Sequence, residues 1–289
     1  MSLRDRKLSS GTGAATAPGT RVPPGTPGTG TTPGAHRGRS AGERFGQTDR
    51  TDNWWLTPVS QALGLLVLIG YANYAAILGA GHYHYIAEGR DYLSPFYSPY
   101  IKLSWLPAWF SPALLILIFP LGFRTTCYYY RKAYYRSFFN DPIGCAVGER
   151  SEKYSGETKF PFILQNLHRY FLYAALVFIV ILWIDVIKAF IFDGHSFGIA
   201  VGSIMILLST WFISLYTFSC HSLRHLMGGR IDCFSCAVAG KQRHKTWSII
   251  SRLNEHHMGF AWISLFFVCA ADLYVRLCSM GVIHDLRLL

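Results

Sequence analysis

Residues 163–190 read ILQNLHRYFLYAALVFIVILWIDVIKAF, with no charged side chain between Arg169 and Asp185. A helix needs about 20 mostly apolar residues to cross the ~30 Å of hydrocarbon in a bilayer, and this stretch is long enough. Four further segments share its character, at about 55–82, 104–127, 198–226 and 257–280. None of the five alternates with the period of two that lines a membrane β-barrel. The expected fold is all-α and integral to the membrane, a five-transmembrane-helix bundle over residues 51–289. The second segment leads into YYYRKAYYRSFF, residues 128–139, whose Tyr and Arg content suits a helix in the headgroup region.

The composition points the same way. Of 289 residues, 51% are hydrophobic and only 15% charged, below the roughly 25% usual in soluble domains. A net charge of +11 would suit a nucleic-acid partner, but the basic residues form no recognition motif and lie between the apolar segments, so no nucleic acid is expected. Their distribution sets topology instead. Most Lys and Arg fall in the tail before the first segment, in 124–162 and in 224–252. Positive charge stays inside, which puts the N-terminus in the cytoplasm and the C-terminus outside a cell inner (plasma) membrane. Residues 1–50, containing GTGAATAPGTRVPPGTPGTGTTPG, offer almost nothing to bury; this low-complexity arm is expected to be disordered unless it lies along partner subunits. Seven cysteines, an odd number, without a secretory leader favour reduced thiols or metal ligands over a disulfide framework.

The chemistry concentrates in CHSLRHLMGGRIDCFSC, residues 220–236. His221 and His225 are spaced to share one helix face, Gly228-Gly229 forms a natural helix stop, and Cys233 and Cys236 can converge from a turn. The pattern H-x3-H-x7-C-x2-C signals a metal without naming it. It fits structural zinc. It also fits a Rieske-type two-iron two-sulfur centre, with two Cys on one iron and two His on the other, and it fits helix-capping histidines with ordinary buried cysteines. Cys220, His256 and His257 are alternate ligands, and Asp232 a weaker donor.

A haem b between His168 and a histidine of the fourth or fifth segment is a further possibility, whereas His82, His84 and His195 read as interfacial side chains facing water. Asp185, Asp272 and Arg276 lie inside apolar segments, where charges are paired or functional; Asp272 and Arg276, one turn apart, read as a structural ion pair. A quinone needs an apolar slot with a few donors, which His168, Arg169, Tyr130, Arg131 and Trp247 could supply at the inner face.

On Cys220, His221, His225, Cys233 and Cys236, with His168 and His256-His257, a Gly/Pro/Thr-rich arm and five spans, the chain resembles the membrane-anchor C subunit of actinobacterial, specifically mycobacterial, succinate dehydrogenase. The resemblance covers about residues 50–289. It implies flavoprotein and iron–sulfur partner subunits, electron transfer to menaquinone and, in the haem-free type, a Rieske-type 2Fe-2S cluster embedded in the anchor. It is this resemblance, not the ligand spacing, that ranks iron–sulfur above zinc. The expected role is a membrane anchor and quinone-reducing subunit, not catalytic alone, within a higher-order oligomer of the complex. The alternatives are a haem-b quinone oxidoreductase anchor, or a scaffold or transporter with a structural zinc site.

Overall fold

The computed structural model describes residues 44–289 except 79, 80, 88, 102–106, 108, 109, 141, 142, 150–157 and 230. The arm expected over 1–50 lies outside the described residues as far as residue 43. Residues 44–50 lie against the loop at 145–148: Gly46 N donates to Gly148 O at 3.0 Å, Gly148 N to Gln47 O at 2.8 Å and Arg50 Nη1 to Cys145 O at 2.9 Å.

Helix α1 spans Leu56–Ile77, and a hairpin of β1 (His84–Ala87) and β2 (Arg90–Leu93) follows. Next come α2 (Ala113–Thr125) and α3 (Tyr128–Tyr134), the latter ending in a π-turn, Tyr135–Phe139. A 3₁₀ turn, Phe162–Leu167, leads directly into α4 (His168–Ala189). The short hairpin β3 (Ile191–Phe192) and β4 (Ser196–Phe197) precedes α5 (Val201–Phe218), and α6 (His221–Gly228), α7 (Gly240–Glu255) and α8 (His257–Ser279) complete the chain. Among the described residues four helical runs are long and apolar enough to cross a membrane: α1, Phe162–Ala189, α5 and α8. A bent pair, α2 with Tyr128–Phe139, makes a fifth only if its halves, which meet at 82°, are one span.

Helix α5 packs chiefly on α8 and α4, and α4 also on α2, which makes α5 the centre of the bundle. Helix α1 lies at its edge and leaves Leu63, Leu66 and Val67 exposed, an apolar surface suited to lipid. At Gly122 of α2 a Cβ would stand 2.4 Å from the Phe171 ring, so glycine lets α2 approach α4 closely.

Two breaks interrupt the helices at one end of the bundle. The bend between α2 and α3 falls at Thr126-Cys127, and Cys127 is extended (φ −69°, ψ 131°). Over 198–226, where the sequence suggests one span, the chain instead forms two helices, separated at Ser219-Cys220 with Cys220 extended (φ −64°, ψ 137°). The second break is held from outside the helix: Asn254 Nδ2 donates to Ser219 O at 2.7 Å. Residues 240–255, read from sequence as part of a basic loop, form α7.

The other end of the bundle, with the two hairpins and the C-terminus, is closed by two buried ion pairs. Arg276 Nε donates to Asp272 Oδ2 at 2.7 Å, with Tyr71 (2.6 Å) and Ser94 on the same carboxylate. Arg90 Nη1 donates to Asp285 Oδ2 at 2.9 Å, joined by Tyr92 at 2.8 Å, Tyr274 at 2.7 Å and the amide of Gly202 at 3.0 Å. Both oxygens of each carboxylate are engaged, as buried charge requires. Asp185 accepts from Ser98.

Candidate functional site

At the end away from these ion pairs, the two chain breaks face each other across a cavity of about 470 Å³. Each break carries a hydroxyl residue followed by a cysteine: Thr126-Cys127 and Ser219-Cys220. A histidine stands beside each hydroxyl. Thr126 Oγ1 lies 2.9 Å from His168 Nδ1, and Ser219 Oγ lies 2.7 Å from His257 Nδ1. The other ring nitrogens then cross over. His168 Nε2 meets Cys220 Sγ at 3.1 Å, while His257 Nε2 meets Cys127 Sγ at 3.4 Å. Each hydroxyl thus orients the histidine that meets the cysteine of the opposite break.

The centre is buried: Cys220 is 1% exposed, Cys127 4% and His168 7%. Burial pushes the Cys220 thiol up from 9.0 to about 11. Phe123 stacks on His168 with ring centroids 4.8 Å apart, and Tyr216 on His257 at 5.0 Å. Beyond these rings Arg124 lies 4.7 Å from the centroid of Tyr216 and donates to Tyr130 Oη at 2.5 Å and Ser264 Oγ at 3.0 Å. Arg124, Tyr130 and Tyr216 also line a second cavity, of about 290 Å³, among apolar side chains such as Leu65, Ala72, Leu117 and Leu265.

Two comparisons with known proteins point to one family. The family model for actinobacterial succinate dehydrogenase subunit SdhC matches residues 56–281. A chain of the Mycobacterium smegmatis Sdh1 complex in the apo form superposes with a TM-score of 0.75 at 40% sequence identity, covering 88% of this chain and 98% of that one. No curated protein matches. The chain belongs to the actinobacterial succinate dehydrogenase SdhC family. It is a membrane-anchor subunit, integral to the membrane.

The donors expected in this SdhC-family chain are distributed unevenly. Of the ligand set expected first, His221 lines the cavity. His225 Nδ1 accepts from Arg169 Nη2 at 3.1 Å. Cys233 and Cys236 are exposed and joined to each other in a disulfide. Of the alternates, Cys220 and His257 belong to the centre, whereas His256 sits at the junction of α7 and α8, edge-on to Phe260. Among the described residues no three His, Cys, Asp or Glu side chains converge on a point where one metal ion would sit.

The quinone candidates separate in the same way. His168 and Arg169 line the polar cavity and Tyr130 the apolar one. Arg131 lies over Phe162 at 4.7 Å, and Trp247 lies under Arg224 at 5.2 Å on α7. Sequence reasoning missed Cys127, its neighbour Thr126, Ser219 and Arg124. The available signal was the hydroxyl–cysteine dipeptide, present near the end of the second segment and again near the end of the fourth.

Proposed function

We propose that this anchor reduces menaquinone with electrons supplied by the flavoprotein and iron–sulfur subunits of a succinate dehydrogenase. In this reading it holds a two-iron two-sulfur cluster at Cys127, Cys220, His168 and His257. The observation that supports it is the crossed donor set: two imidazoles and two thiols, three of them buried and His257 partly so, around a cavity. Two imidazoles and two thiols are the donor complement of a Rieske-type centre, in which two Cys hold one iron and two His the other, and donors that do not meet at one point do not suit a single zinc ion. Such a cluster supplies a one-electron carrier whose potential histidine ligation raises.

The remaining residues serve the quinone. The apolar cavity accepts an isoprenoid tail and Arg124 offers N–H donors to a ring carbonyl, while Tyr130, which accepts from Arg124 and donates to Ala261 O at 2.6 Å, holds the guanidinium in place. Phe123 and Tyr216 form an aromatic layer between that cavity and the histidines and keep water from it. The Lys and Arg distribution supports an inner-face location for this end, with the N-terminus in the cytoplasm and the C-terminus outside.

Metal analysis and spectroscopy of the purified complex test the reading. Iron with acid-labile sulfide beyond the partner subunits' share, lost in Cys127→Ser and Cys220→Ser, is expected. A Soret band, zinc in place of iron, or iron retained in both variants overturns it.

A further inference from the structure

We propose that Thr126 and Ser219 are positioning residues that fix the tautomer of the two histidines, so that His168 and His257 each carry the proton on Nδ1 and present a bare Nε2 to the centre. This rests on the reading of the centre as a cluster site.

A hydroxyl has one proton to give and can accept besides. Thr126 Oγ1 lies 2.6 Å from Gly122 O, and Ser219 Oγ lies 3.0 Å from Tyr216 O. A carbonyl only accepts, so each hydroxyl proton is committed to it. The same oxygens lie 2.9 Å from His168 Nδ1 and 2.7 Å from His257 Nδ1, where they can now only accept. Both Nδ1 atoms are therefore protonated, and both Nε2 atoms carry a lone pair toward Cys220 and Cys127.

The reverse polarity fails twice. It would leave two oxygens 2.6 Å apart at Thr126 with no proton between them, and it would ask each sulfur, a weak acceptor, to receive an N–H. A histidine that ligates a metal commonly has its second nitrogen held in this manner, and the partner of that nitrogen decides which one binds. Here the partner is part of the backbone design. Each hydroxyl caps the last turn of a transmembrane helix and reaches back to a carbonyl of that turn, so the helix end itself sets the direction of the imidazole.

The test is pulsed EPR on the reduced cluster in the intact complex, with histidine labelled by ¹⁵N at either Nε2 or Nδ1. The strong coupling of a directly bound nitrogen is expected from the Nε2 label and a weak remote coupling from the Nδ1 label. Thr126→Val, which keeps the shape and removes the hydroxyl, and Ser219→Ala each free one ring to turn over; strong coupling from both labels is expected, and Thr126→Ser restores the single pattern. Strong coupling from the Nδ1 label in the wild type overturns the proposal, as do variants that keep the cluster with unchanged couplings. A wild-type cluster without any histidine coupling overturns the ligand set as well, which separates the two failures. Should Thr126→Val not assemble, the wild-type labels and Ser219→Ala still decide.

Discussion

Arg124 is the charged group in the wall of the apolar cavity, and its described hydrogen bonds go to Tyr130, Ser264 and the carbonyl of Ala261. A hydrogen bond from a charged donor is worth about 1.5–3 kcal/mol, and each 1.4 kcal/mol is about tenfold in affinity. Arg124→Met is therefore expected to raise the KM for a short-chain quinone about tenfold or more, with iron content unchanged, in steady-state assays of the complex. A loss of iron or of thermal stability at constant KM would show that Arg124 only braces the fold. Cys220 carries a second prediction, for the metal-free chain. Its thiol is raised from 9.0 to about 11 by burial, so the folded state holds the proton more tightly than the unfolded state does. Stability should be complete below pH 9 and fall as pH rises toward 11. Urea titrations of apo protein across that range, compared with Cys220→Ala, would isolate the contribution.

The joint between α6 and α7 is set by one backbone approach. A Cβ on Gly240 would lie 1.7 Å from the carbonyl oxygen of Phe234, inside the turn that the Cys233–Cys236 disulfide closes. Gly240→Ala should cost about 1–3 kcal/mol, the usual penalty for forcing atoms into packed structure, and limited proteolysis should open the 229–240 turn first. The elements also separate what the chain made legible from what it did not. The membrane-spanning segments were readable because the bilayer imposes a length and an apolar character on each. The division of the fourth was not, because TFSCHSLRHL contains no Gly or Pro and its break depends on Asn254, over thirty residues away. The two cysteines of 233–236 stand out by their spacing, whereas Cys127 is joined to its histidine only through the fold. The charges of α7 made it look like a loop, although Ile250 is buried and Trp247 packs at Gly228.

Along the full length of the bundle, chemistry and rigidity occupy opposite ends. The Asp272–Arg276 and Arg90–Asp285 pairs tie α1, β2, α5, α8 and the C-terminal segment together, far along α8 from His257. Removing one partner of a buried pair strands the other and costs about 3–5 kcal/mol. Asp272→Ala should lower the thermal midpoint of the complex sharply while leaving the spectrum of the proposed cluster unchanged in the surviving fraction. Orientation is tested by Cys145, which is free and exposed in the loop at 145–148; an impermeant maleimide should label it in inside-out vesicles and not in sealed right-side-out ones. The crossed pairing also has a consequence for the order of assembly. The four side chains of the proposed centre come from the α2–α3 junction, the start of α4, the α5–α6 junction and the start of α8. A chain threaded into the bilayer from its N-terminus has no complete set of donors until the last helix has entered. Loading of the proposed cluster would then wait for the finished bundle.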